Sequence, residues 1–257
     1  MPETVKLRIE NGIGRLTLAR PDVRNAIDDA VMAEMSAGLA QLARADAVRV
    51  VVLDAEGDAF CAGTDVSWME HLAADRQADD ARRLASLLYQ LRMLPKPLVA
   101  RVHGAAIGAG VALAACADIV VASEDAFFAL PAVRLGAVPA VIGPFVIEAI
   151  GLNQARRYLL TGERFDAMTA RRLGLVHLVC LPAHLEETLE GVLADLLEAG
   201  PHALRESKHL LTTYGQHPLD QQLLQEAAKI SARVRKDSEA REGLAAFLEK
   251  RPPSWLR

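Results

Sequence analysis

An α/β fold with a helical C-terminal part is what this sequence predicts, and three observations predict it. Through about residue 144, short apolar runs alternate with stretches of helical periodicity, the pattern of strands and helices packed in layers. Beyond that point the helical period dominates. At the start, "VKLRIENGIGRLTLAR" alternates on both sides of Asn11-Gly12, a two-residue turn signal between paired strands.

The elements follow in order. Ile27, Val31, Met35, Leu39 and Leu42 recur at helical spacing. "VRVVVLDAEG" (48–57) reads as a strand buried on both faces and closed by turn residues. A helix is expected to begin near Asp65, and a stronger one over 78–94, stopped by Pro95 and Pro97. "LVARVHG" (98–104) is a strand, Gly108 to Cys116 a short helix and "DIVVAS" (118–123) the next strand. Helical patterns then cover 144–160, 167–173, 183–199, 202–213, 219–235 and 238–249, with one short strand at 175–179. Residues 1–190 read as the α/β core and 191–257 as a helical C-terminal part. No internal repeat or low-complexity linker interrupts them.

Composition narrows the function classes. A hydrophobic share of 51% with 24% charged residues belongs to a globular chain and not to a disordered one. A net charge of −4 leaves no broad basic surface for nucleic acid. "ARRL" (81–84) and "ARRLG" (170–174) sit in helical patterns and read as solvated faces. Cys61, Cys116 and Cys180 are far apart with apolar neighbours, which suggests buried thiols and neither a metal site nor a disulfide framework. "MPETVKLRIENG" lacks the apolar core of a signal peptide. "GAAIGAGVALAACADI" (104–119) has about fourteen small or apolar residues before Asp118, short of the roughly 20 a membrane span needs. The expectation is a cytoplasmic protein with no membrane or nucleic-acid partner.

Two stretches share a design: a strand, a turn of small residues, then a helix start. The first turn is Ala62-Gly63-Thr64-Asp65 and the second Gly108-Ala109-Gly110. The first N–H groups of a helix have no intrahelical partner and carry partial positive charge. Two such ends facing each other would supply paired donors to a carbonyl oxygen that becomes negative during reaction. Gly-Ala turns before helices are also common packing devices, so either turn alone says little.

The flanking text says more. "RPDVRNAI" (20–27), "FCAGTDVSWM" (60–69), "PKPLVARVHGAAIGAGVALAACADIVVAS" (95–123), "VRLGAVPAVIGPFVIEAIG" (133–151), "ARRYLLTGERFDAMTARRLGLVHLV" (155–179) and "EGLAAFLEKRP" (242–252) resemble, in this order, the crotonase or enoyl-CoA hydratase/isomerase superfamily. The wording of 133–179 is similar to hydratases of branched-chain and isoprenoid acyl-CoA breakdown. The resemblance implies a spiral of ββα units, homotrimers or hexamers, and a coenzyme A thioester as substrate or ligand, with no further cofactor and no metal. It places the oxyanion-hole amides at Thr64 and Ala109. Arg24 matches a basic position near the CoA phosphates, and Ala26 lies in the same CoA-binding stretch. Ala62 and Thr64, Asp65, Val66 and Ser67 match the lining of adenine and pantetheine. Phe247 and Lys250 match tail residues that close on CoA.

The catalytic acids are another matter. Family hydratases carry one glutamate three positions after the second oxyanion amide and another twenty further on. Those positions are Ala112 and Ala132 here, and "PAVRLG" stands where some relatives keep "SEVRLG". The loop 137–143, where family isomerases carry carboxylates, is "AVPAVIG". Glu148 reads as a surface or subunit contact, Asp65 as a helix cap, and His103 as structural. Glu70 and His71 are the remaining candidates, although a solvated helix face explains both. Three functions stay open: an acyl-CoA enzyme that needs only enolate stabilisation, such as a decarboxylase of malonyl-type thioesters; a non-catalytic acyl-CoA-binding protein; and a hydratase with its acid elsewhere. A pocket lined by Ala112, Ala132, Val133, Val138 and Val141 would be apolar and suit an aliphatic acyl group.

Overall fold

A computed structural model describes residues 3–256. Strands β1 (Val5–Glu10) and β2 (Ile13–Leu18) pair antiparallel across Asn11-Gly12, both at positive φ, the conformation a two-residue hairpin turn requires. Helix α1 (Asp29–Arg44) starts where Asp28 accepts the Val31 amide, and buries Val31, Met32, Met35, Leu39 and Leu42 along one face. Strand β3 (Val50–Ala55) is buried at all six positions. Asp54, its one charged residue, pairs with Arg15 at 2.8 Å. Helices α2 (Val66–His71) and α3 (Gln77–Arg92) follow; α3 turns Leu84, Leu87, Leu88 and Leu91 inward and packs on α1.

Strands β4 (Leu98–Val102), β5 (Ala105–Ile107), helix α4 (Ala109–Ala115), β6 (Ile119–Ser123) and β7 (Phe127–Ala129) come next, then a 3₁₀ turn over Pro131–Leu135. Helix α5 (Gly143–Thr161), kinked at Gly151, leads to β8 (Arg164–Asp166), α6 (Ala167–Leu173), β9 (Leu178–Cys180) and α7 (Leu185–Glu198). Two sheets result. The larger has the order β1-β2-β3-β4-β6-β9 and is parallel after its first pair; the smaller has the order β5-β7-β8.

The chain steps repeatedly from the large sheet to the small one and then into a helix. β4, β5 and α4 make one such step. β6, β7 and α5 make the next. Before them, β3 leads to a bridge between Cys61 and Ala106 and then to α2. This is the expected ββα spiral. Three short strands, β5, β7 and β8, were not evident in the periodicity: three residues hold too little alternation, and pairing with distant segments decides them. The late strand also lies at Leu178–Cys180 and not at 175–179, because Leu175 and Val176 are buried in the turn after α6.

Two compact units divide the chain. One comprises the residues to Leu94 and Leu98–Glu190; the other comprises Pro95–Pro97 and the residues from Gly191 on. In the second, α8 (Pro201–Gln216), α9 (Gln221–Val234) and α10 (Ser238–Glu249) are joined by side chains that serve backbone ends. Glu239 accepts the His202 and Ala203 amides at the start of α8, and Asp220 caps α9 through Leu223. Lys208 donates to the Lys96 carbonyl at 3.0 Å. Among the described residues no helix is long and apolar enough to cross a membrane.

Candidate active site

The two small-residue turns lie side by side. Cys61 donates to the Ala105 carbonyl and accepts from Ile107, each at 2.9 Å, so residues 60–63 and 105–108 run together as a short ladder. At its far end a Cβ on Gly63 would stand 2.8 Å from the Ile107 carbonyl oxygen and 3.7 Å from the Ala109 nitrogen. Only glycine, here at φ 94°, lets the first turn approach the second so closely.

Backbone alternation then orients the amides. The Gly63 carbonyl accepts from Ile27 at 2.8 Å, and Asp65 donates to the Ile27 carbonyl at 2.9 Å. Thr64 stands between them, so its N–H faces away from Ile27. Ala109 opens α4, where an N–H has no carbonyl four residues back within the helix. Among the described residues neither amide is used in the turn's hydrogen bonds. Two amides outside the turn's hydrogen bonds thus belong to adjoining turns built of small residues.

Asp65 caps α2, accepting the Trp68 amide at 3.2 Å, as its sequence position suggested. Arg24 is exposed at φ 52°, and its carbonyl accepts the Ala62 amide at 2.9 Å, which ties the 20–27 turn to the 62–67 turn. Ala26 is buried and Ala62 half-buried, whereas Val66 and Ser67 are exposed. Phe247 and Lys250 lie in the second unit, Phe247 81% exposed and Lys250 in the left-handed cap of α10.

Two residues that the sequence did not single out hold this region together. Arg20 donates to the Ala26 carbonyl at 2.7 Å and pairs with Asp28 at 2.9 Å and Asp65 at 3.4 Å. Asn25, buried and at positive φ, accepts the Arg20 amide and donates to the carbonyls of Glu56 and Ala59. Their local signal lies in "RPDVRNAI" and the Asp28 that follows it, whereas Asp65, Glu56 and Ala59 are distant in sequence.

The remaining candidates sort by environment. Ala112 has no accessible surface and is part of the hydrophobic core, so it cannot line an open pocket with its side chain. Ala132 is half-buried in the Pro131–Leu135 turn. Val138 is 77% exposed. The expected pocket wall of Ala112, Ala132, Val133, Val138 and Val141 is therefore not one continuous apolar surface. Glu148 forms an ion pair with Arg92 at 2.5 Å, a surface role. Glu70 and His71 are exposed, and His71 donates to the Ser67 carbonyl of its own helix. Burial pushes the Cys61 thiol up to about 12, so it stays protonated and unreactive. Cys116 is likewise buried. Among the described residues, no group of histidine, cysteine and carboxylate side chains could hold a metal ion.

Comparison with known proteins agrees with this architecture. A model of the enoyl-CoA hydratase/isomerase family matches residues 8–257. The chain is 34% identical over 244 residues to the 2,3-dehydroadipyl-CoA hydratase of Escherichia coli K12, covering 93% of each. An enoyl-CoA hydratase structure from Shewanella pealeana is similar at a TM-score of 0.94 and 36% identity, over 98% of this chain and 96% of that one. Pseudomonas aeruginosa AtuE is similar at 0.94 and 39%, over 99% and 100%. With a strand–strand–helix spiral, adjoining small-residue turns and an end-to-end family match, the chain belongs to the enoyl-CoA hydratase/isomerase family and has the crotonase fold.

Proposed function

We propose that this protein binds an acyl-CoA thioester and polarises its carbonyl with the amides of Thr64 and Ala109, without the two glutamates of a family hydratase. The adjoining turns support this reading most directly: a Cβ on Gly63, the residue before Thr64, would stand 3.7 Å from the Ala109 nitrogen, so the two turns meet next to both amides. Arg24, Ala26, Ala62 and Asp65 to Ser67 are the proposed contacts to CoA. Phe247 and Lys250 of the helical C-terminal part are the proposed capping residues, and CoA enters as part of the substrate with no separate cofactor. Exposed Leu211, Leu244, Phe247 and Leu248 support a homotrimer or hexamer, since monomers rarely leave many large apolar residues in water. The proposed setting is cytoplasmic.

Alanine at 112 and 132 can neither deprotonate water nor protonate an α-carbon. General acid–base groups contribute about 10²–10⁴ each, so hydration of crotonyl-CoA is expected near background between roughly pH 6 and 9, with binding retained. Calorimetry with butyryl-CoA beside that assay tests the reading. Absence of thioester binding by the folded protein overturns it. Robust hydration would mean that an acid elsewhere acts, and Glu70 would be the first to replace.

The stretch 126–146 contains no carboxylate, which favours a second reading within the same site. Decarboxylation of a malonyl-type thioester needs the developing enolate stabilised as CO₂ leaves, with the α-carbon then taking a proton from water. Turnover of methylmalonyl-CoA or malonyl-CoA to the decarboxylated thioester separates this enzyme from a non-catalytic binding protein.

A further inference from the structure

His103 stands where the two turns begin to run together. Its Nε2 lies 3.0 Å from the Gly57 carbonyl oxygen, which only accepts, so Nε2 carries the proton. Its Nδ1 lies 3.4 Å from Arg101 Nη1, which only donates, so Nδ1 must be an acceptor. Both contacts fit one neutral tautomer. The His103 carbonyl accepts the Phe60 amide at 2.9 Å, and the Cys61–Ala105 and Ile107–Cys61 bonds continue from there to Gly63 and Ala109. A Cβ at Gly104 would collide with the Asp58 carbonyl oxygen, so the 57–60 segment is pressed against the residue after His103. From the other side Asn25 holds the Glu56 and Ala59 carbonyls at 2.8 Å.

We infer that His103 is a positioning residue that fixes the spacing of the Thr64 and Ala109 amides, and that its protonation loosens this spacing. The inference rests on the proposed role of those amides. A second proton on the ring would sit on Nδ1, donor against donor and cation against cation toward Arg101. Arg101 is tethered from the other side by charge: its Nε lies 2.9 Å from the Glu186 carboxylate as an ion pair without hydrogen-bond alignment, Glu186 also holds Arg15 at 2.8 Å, and Arg15 holds Asp54. The ring must yield instead, and Gly57 and Phe60 follow. Of the other charged groups facing His103, Asp125 and Asp54 favour the protonated ring, but burial and Arg101 oppose it. Burial prevails, so the ring titrates below the usual histidine value of 6.5.

The test follows the Thr64 and Ala109 amide ¹H–¹⁵N signals of the unliganded protein as pH falls from above 7. Both are expected to move with the titration of the His103 ring. In His103→Asn, which keeps a donor for the Gly57 carbonyl but cannot titrate, they are expected to stay flat, with secondary structure retained by circular dichroism. Amides that remain still while His103 titrates overturn the inference, as does an amide titration that survives in His103→Asn. Butyryl-CoA labelled with ¹³C at the carbonyl gives a second readout. Its bound shift is expected to relax toward the free value through the same titration in wild type and not in His103→Asn. A bound carbonyl that ignores the His103 titration also overturns the inference. Failure to bind the thioester at all, with the amide titration intact, refutes the proposed function and leaves the positioning role standing.

Discussion

Arg20 donates from Nη1 to the carbonyl oxygen of Ala26 at 2.7 Å, and the same guanidinium reaches the N-cap carboxylates of α1 and α2. One planar fork thereby fixes the turn that carries Arg24 and connects two helix starts. Lysine has no such fork.

Arg20→Ala is therefore expected to lower stability by about 1–3 kcal/mol, the range for leaving hydrogen-bond partners unsatisfied. Arg20→Lys should recover only part of it. Urea unfolding measures both, and an unchanged midpoint for Arg20→Ala would contradict the assignment.

Ala109→Pro removes one proposed oxyanion donor without shortening a side chain. The position is the first of α4, where proline is tolerated in helices. Loss of one such donor typically lowers rate by about 10²–10³, and in a binding protein the infrared carbonyl band of bound butyryl-CoA should return toward its free frequency. Ala109→Ser, which keeps the amide, should leave the band in place. A shifted band that persists in folded Ala109→Pro would count against this donor.

Ala112→Glu should be poorly tolerated, because Ala112 is wholly buried in the core. Overpacking and burial of an ionisable group together predict a loss of about 3 kcal/mol or more. Ala132→Glu, at a half-buried position, should be much milder. Chemical denaturation compares the two, and equal midpoints would refute the difference.

Acid should destabilise the first unit through two histidines. His177 Nδ1 accepts the Val120 amide at 3.0 Å, a bond that requires the neutral ring. Burial holds both His177 and His103 below the usual 6.5, with Asp118 opposing it at His177. A base with a lowered folded-state pKa binds fewer protons folded than unfolded, so its contribution is complete above 6.5 and is lost as pH falls through the folded value. Urea midpoints should decline on acidification from pH 7, and the decline should be shallower in His103→Asn/His177→Asn. An unchanged slope in that variant would assign the acid sensitivity to other groups.

What the sequence discloses depends on how local the cause is. Asn11-Gly12 dictates its own turn, the α1 and α3 stripes dictate their buried faces, and Asp65 caps the helix it precedes. The small sheet is different. "AAI" at β5 has no pattern of its own and becomes a strand because Phe127–Ala129 lies beside it. The site divides in the same way. Its small-residue turns are visible in the text, whereas Arg20, Asn25 and His103 reach Asp65, Ala59 and Gly57, partners that only folding brings near. Ala112 was read as pocket wall because helix position alone does not reveal which side the core occupies.

Among the described residues β1 has a neighbour on one side only, and the opposite border of the same sheet is β9, three residues long. An open border is an invitation to another chain's strand, and therefore to fibrillar aggregation. Lys6, Arg8 and Glu10 alternate along β1, all three exposed, with Lys6 drawn to Glu56 and Arg8 to Glu10. An incoming strand would have to strip water from these charges, while β9 offers too little length to template one. Solubility during expression and storage thus depends on charges along this border, and neutralising Lys6 and Arg8 would turn a guarded margin into a seed.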